Sequence, residues 1–193
     1  MSFFAFANDP PLPASRRRFL RSSSGLLLSG TAVALLSGRE ALAKGKGGGH
    51  EGDVKILNAA LGAEHEAVAA YQVGADSGLL QPQVKDLALV FQGHHRAHSD
   101  VLASTIRKLG GNPVEAKGHY DFPTAKLKSE ADVLAFAASL EKGAVHAYVE
   151  AVPMFHERDL SKAAASILGD EAMHWAILRN ALGEVPVPTG FVG

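Results

Sequence analysis

Three glutamates and three histidines stand in rows of residues that are otherwise apolar. Glu64 falls in the series Leu57, Leu61, Glu64, Val68, Tyr71, and Glu141 in the series Leu134, Ala137, Glu141, Ala144, Tyr148. Spacings of three and four put each series on one face of a helix, so each glutamate takes a place suited to leucine. A third series, Leu160, Ala164, Ile167, Glu171, His174, Leu178, carries a Glu-x-x-His pair on one face. A fourth, Phe91, His95, His98, Leu102, Ile106, has His95 and His98 in the places of Glu171 and His174. A buried carboxylate left unpaired is costly and either neutralises or finds a cation. Carboxylate oxygen and imidazole nitrogen together suit iron, manganese or zinc. One or two divalent ions held by Glu64, His95, His98, Glu141, Glu171 and His174 would account for all six residues at once. The chain has no Cys, which excludes thiolate ligands, iron-sulfur clusters, disulfides and thiol nucleophiles.

Tyr71 and Tyr148 each follow a row glutamate by seven residues. They are either aromatic packing or phenols that hydrogen-bond a carboxylate ligand from the facing hairpin, the support that metal sites generally require. His65, Glu66 and Asp170 neighbour the candidate ligands but point off the apolar rows, so solvent is their expected environment. His94, one turn before His98, is a substitute ligand or lines an access route. Phe91 and Trp175 read as core.

Four helices must position these side chains. The first is expected from Asp53, read as its N-cap, to about Ser77; the second runs from Pro82 to Gly110-Gly111. The third follows Ser129, with Asp132 as a capping-box-like partner, and ends near Pro153. The fourth follows Asp159 and ends at Gly183. Short turns join the first helix to the second and the third to the fourth, whereas residues 110–128 form a long link. The fold class is therefore all-α, a four-helix bundle of two helical hairpins joined by a long crossover; an up-down bundle with an ordinary long loop fits the same lengths. Glu64 to His98 spans 34 positions and Glu141 to His174 spans 33, so the hairpin is internally repeated.

The 193-residue chain carries an additional N-terminal segment. Ser15-Arg16-Arg17-Arg18-Phe19-Leu20-Arg21 precedes a weakly apolar stretch from Gly25 to Gly38 and the small-x-small sequence Ala41-Leu42-Ala43, the order of an export signal. About 14 apolar-leaning residues fall short of the roughly 20 that span a bilayer as a helix. Residues 1–43 are thus read as a signal peptide, 44–52 as a flexible linker, 53–183 as the bundle and 184–193 as a tail. The basic segment resembles the twin-arginine motif, with Arg21 where Lys is usual; the resemblance implies export in the folded state to the periplasm or beyond. Removing residues 1–43 takes away five Arg and two acids and leaves 14 basic and 18 acidic residues, a net charge of about -4. Such a chain lacks the basic footprint of a nucleic-acid binder, and its mature part has no membrane span.

Glu64, Glu141, the Glu171/His174 pair and the order of the hairpins resemble the ferritin-like superfamily, in particular bacterial ferritin-like domain proteins with a twin-arginine signal. The resemblance covers residues 53 to 183. It implies a di-iron or di-manganese centre, with one Glu from the first helix of each hairpin and Glu-x-x-His from the second. His95 departs from this pattern, replacing a bridging carboxylate by what is expected to be a neutral ligand with one donor nitrogen. Three negative charges instead of four favour divalent metal, a single ion or an asymmetric pair.

The function expected is that of an exported metal-binding protein, redox-active towards oxygen or peroxide at the Glu/His centre and supplied by an external electron donor. The alternative is a metal-poor bundle kept as a binding or protective module in envelope stress or desiccation. Iron storage requires a closed shell, and no fifth helix is evident after Gly183. A homodimer is the assembly expected of the bundle.

Overall fold

The computed structural model describes residues 49–192. The expected export signal and the beginning of the linker lie outside the described residues. Helices α1 (Gly49–Asp76), α2 (Pro82–Lys108), α3 (Glu130–Ala151) and α4 (Arg158–Ala181) make up the fold, and there is no strand among the described residues. Residues 49–52, expected as linker, are already helical.

Several helix ends have a local cause. Pro82 opens α2, where a missing N–H is harmless. Ser129 caps α3 by accepting from Asp132 N–H, while Asp132 in turn accepts from the Ser129 hydroxyl and Lys128 N–H. The two hairpins finish alike. After α2, Gly111 N–H donates to the Ile106 carbonyl across Gly110 at φ +79°; after α4, Glu184 N–H donates to Arg179 across Gly183 at φ +74°. This left-handed turn with its six-residue closing bond is a standard helix stop, and glycine suits it because it has no Cβ.

Asp53 does not cap its own helix. It is 1% exposed, inside α1, and its carboxylate accepts from the backbone N–H groups of His156 and Glu157 at 2.8 and 3.2 Å. These N–H groups stand at the start of α4, which has no side-chain cap from Glu157. Asp53 thus serves α4 from a different helix, ties the two hairpins together and places a negative charge at the positive end of the α4 dipole. Asp53→Ala is expected to lower stability by about 1–2 kcal/mol, read as a lower denaturant midpoint at unchanged slope. An unchanged midpoint would show that α4 needs no cap.

The helices α1 and α3 run antiparallel, because Tyr71 meets Glu141 while Glu64 meets Tyr148. The crossover between α2 and α3 travels the length of the bundle. At one end Asn58 holds it by accepting from Val114 N–H and donating to the Asn112 carbonyl. At the other end Phe122 and Leu127 pack against Ala70, Phe136 and Leu140. Leu57, Leu61, Leu102, Ile106 and Ile167 fill one half of the core, and Phe91, Leu134 and Leu178 fill the other. The polar residues lie in the layer between these apolar halves.

Candidate metal centre

All six candidate ligands meet in that layer. Glu64, His95, Glu141, Glu171 and His174 are each at most 3% exposed, and the His98 side chain is 15% exposed. They form two overlapping sets of four: Glu64, His95, His98 and Glu171; and His95, Glu141, Glu171 and His174. Within each set the donor atoms lie within 4.8 Å of one another. Bonds of about 2.0–2.2 Å to a single ion would hold its ligand atoms roughly 3.0–4.4 Å apart, so each set needs only small adjustments to close on one ion.

The sets share His95 and Glu171 through different atoms. His98 Nδ1 is 3.1 Å from Glu171 Oε1, whereas His174 Nδ1 is 3.4 Å from Glu171 Oε2. His95 Nδ1 lies 2.8 Å from Glu64, and its Nε2 lies 3.3 Å from Glu141. Both ring nitrogens thus face a carboxylate, although a neutral imidazole offers a metal only one of them. The reason is placement: the ring lies between the glutamates of α1 and α3.

The donor atoms make few hydrogen bonds. Both Glu171 oxygens, Glu141 Oε2, His98 Nδ1 and His174 Nδ1 are buried without a hydrogen-bond partner. Native interiors rarely leave such groups unsatisfied, and a native site that does so needs an explanation such as an ion. Several of these atoms approach one another at 3.1–3.4 Å without hydrogen-bond alignment. A metal ion would draw such lone pairs to a common point, so the residues present fit one.

The remaining oxygens are fixed from outside. Tyr148 donates to Glu64 Oε1 at 2.7 Å and Tyr71 donates to Glu141. Each tyrosine reaches across from the opposite hairpin. Burial first, then the charge of the neighbouring glutamate, pushes both phenols well above their ordinary pKa, so they remain donors.

The imidazoles respond to the carboxylates around them. Burial alone would lower the pKa of His95, but hydrogen bonds to Glu141 and Glu64 and their charges outweigh it and raise it to about 11. The same contest raises His98 to about 9 through Glu171 and Glu64, and His174 to about 9 through Glu141 and Glu171. Burial pushes Glu141 up, yet the neighbouring imidazoles of His174 and His95 hold it well below the usual carboxylate range. Three imidazolium ions can therefore balance three carboxylates when no metal competes.

Two expectations of exposure fail. Glu66 is only 7% exposed. Asp170 reaches the outer edge of the centre, with its Oδ2 3.3 Å from Nε2 of both His98 and His174. It orients the two rings whose Nδ1 atoms face inward, as a carboxylate behind a ligating histidine does. The signal for Asp170 was available in the repeat, because it precedes Glu171 as His94 precedes His95.

Residues 52–184 match the family described as ferritin-like domain. A conserved hypothetical protein from Mycobacterium tuberculosis is similar in structure, with a TM-score of 0.64 and 24% identity over 74% of this chain and 99% of its own. A second similar structure is described as ferritin-like, diiron-carboxylate proteins from Bacillus anthracis str. Ames, with a TM-score of 0.60 and 18% identity over 69% and 97% of the two chains. A third is a dodecameric thioferritin, the bacterioferritin-related protein from Bacteroides fragilis, with a TM-score of 0.60 and 24% identity over 80% and 94%. No curated protein matches the chain.

Proposed function

Because the chain belongs to the ferritin-like domain family, we propose that its Glu/His layer binds two iron ions and reduces oxygen or peroxide with electrons from an external donor. The observation that carries this reading is the set of buried carboxylate and imidazole atoms without hydrogen-bond partners, divided into two ligand sets with two common members. Iron is favoured over manganese by the likeness to a fold described as diiron-carboxylate. Three carboxylates against two divalent ions leave the centre close to neutral, so the reduced pair is its best-matched state.

When bound, redox-active metal supplies electrons and an open coordination position for the oxidant. The chain supplies the rest. Glu171 would serve both positions through its two oxygens, Glu64 with His98 would complete one, Glu141 with His174 would complete the other, and His95 would add its one free nitrogen to either. Tyr71, Tyr148 and Asp170 keep these side chains from turning away. The apolar halves above and below the layer exclude bulk water. Reduction of one peroxide to two waters consumes two electrons and two protons. A chain without Cys has no thiolate-bound electron-delivery module of its own, so the electrons come from a partner.

We also assign residues 1–43 to export by the twin-arginine route, on their order of basic, apolar and small residues. No helix among the described residues is long and apolar enough to cross a membrane. Untagged protein recovered from the cell envelope is expected to begin near Lys44, carry up to two equivalents of iron by elemental analysis, and change its absorption on exposure to peroxide. Absence of stoichiometric metal would sink the centre. A chain retaining Met1 would sink the export assignment alone.

One observation favours a second reading, a metal-poor protective module. His95 donates towards Glu64 and Glu141 at once, and together with protonated His98 and His174 it can balance the three carboxylates without an ion. The two readings part on whether metal stabilises the fold.

A further inference from the structure

A third group of donors lies outside the two ligand sets: His94, Asp170 and the outward nitrogen of His174. It stands between α2 and α4, which approach each other less closely than α1 and α3 do. The α1/α3 side of the centre is closed by Tyr71 and Tyr148, both buried. On the α2/α4 side exposure rises outward from His174 at 2% through Asp170 at 25% to His94 at 45%. Polar residues therefore lead from solvent to the centre on the α2/α4 side, opposite the two tyrosines.

The geometry is that of a cation site. His94 Nδ1 lies 2.8 Å from His174 Nε2, and Asp170 Oδ2 lies 3.3 Å from each of these nitrogens. Neighbouring ligands on one ion with bonds of about 2.0–2.2 Å stand roughly 3.0–3.4 Å apart; both Asp170 distances fall in that range, and an ion capped by the three atoms would replace the shorter hydrogen bond between the His94 and His174 rings. The repeat places them there, since His94 and Asp170 hold the same position in their hairpins, one residue before His95 and Glu171. His174 belongs to both places, with Nδ1 facing Glu141 and Glu171 and Nε2 facing His94 and Asp170.

We infer that His94 and Asp170, with Nε2 of His174, form a loading site that captures a divalent metal ion from solvent and releases it inward to the buried centre, where His174 takes it at Nδ1 as the ring's one proton returns to Nε2. The inference rests on the buried centre being a metal site. Mixed nitrogen and oxygen donors suit first-row divalent ions, which would arrive here singly and in the reduced state. His94 is the residue to change, because it touches the outer group and belongs to neither buried set.

The test is cobalt(II) uptake by metal-free, full-length protein, followed by visible absorption under limiting metal. His94→Ala is expected to slow uptake about tenfold or more while the final number of bound ions stays that of the unchanged protein. His94→Asp, which restores a donor atom, is expected to recover most of the rate. Equal rates for unchanged protein and His94→Ala would overturn the loading site and leave the buried centre intact. A lower final stoichiometry in His94→Ala would also overturn it, by making His94 part of the centre's own support. No cobalt uptake by the unchanged protein would remove the buried centre and the loading site together.

Discussion

Glu171→Ala is expected to abolish stoichiometric metal binding, whereas Glu64→Ala and Glu141→Ala each weaken one position and leave the other. The difference follows from which atoms serve which set. Glu171 is fully buried and turns Oε1 to His98 and Oε2 to His174, so its loss takes a donor from both positions. Glu64 and Glu141 each belong to one set. Loss of a residue that merely supports a ligand already lowers metal affinity by about 10–100-fold, and loss of a ligand common to both positions should exceed that. Elemental analysis of the three variants, with circular dichroism to verify the helices, reads the result. Retention of one full equivalent in Glu171→Ala would show that the two positions do not depend on a common carboxylate.

The second large effect is on stability, and pH sets its size. Without metal, His95 at about 11 and His98 and His174 at about 9 lie above the ordinary histidine value of 6.5. Between 6.5 and these values the folded chain holds more protons than the unfolded one, so stability falls as pH rises through the window. The contribution is fully present below pH 6.5. Glu141 works in the opposite sense: its lowered pKa contributes above the ordinary value of 4.5 and is lost as acid protonates it. Metal-free protein should therefore be most stable between about pH 5 and 6.5 and weaken steadily towards pH 9. Metal needs the imidazole lone pairs and displaces their protons, so it binds better as pH rises. At 1,000 times its dissociation constant an ion adds about 4 kcal/mol, roughly 10 °C or more in melting temperature for a domain of this size. The gap between loaded and chelator-treated protein is expected to widen from pH 6 to pH 8.5 in thermal scans. A gap near zero at every pH favours the metal-poor protective module, in which protonated His95, His98 and His174 balance the carboxylates.

Much of the candidate centre was legible because helical periodicity is local. A glutamate three or four residues from leucines on both sides must share their face, and four such faces must pack together to bury their apolar rows. That logic placed Glu64, His95, His98, Glu141, Glu171 and His174 in one layer, and the spacing of 34 and 33 residues matched the two hairpins. Gly110 and Gly183 marked the ends of α2 and α4 through a backbone requirement that is equally local.

Other features needed contacts between helices, which periodicity does not encode. Asp53 has the composition of an N-cap for its own helix, but the approach of α4 turns it into a cap for that helix. Asp170 sits off the row by position alone, yet the spacing between α2 and α4 brings its carboxylate behind two ligand rings. The two-sided engagement of His95 depends on where the glutamates of α1 and α3 lie around its ring. The four helices, their apolar faces and the residue types in the polar layer are written in the chain, because these depend on neighbours within one or two turns. Which atom of each side chain faces which partner, and which side of the layer opens to solvent, emerges from the packed bundle, because helix packing and rotamers set those distances.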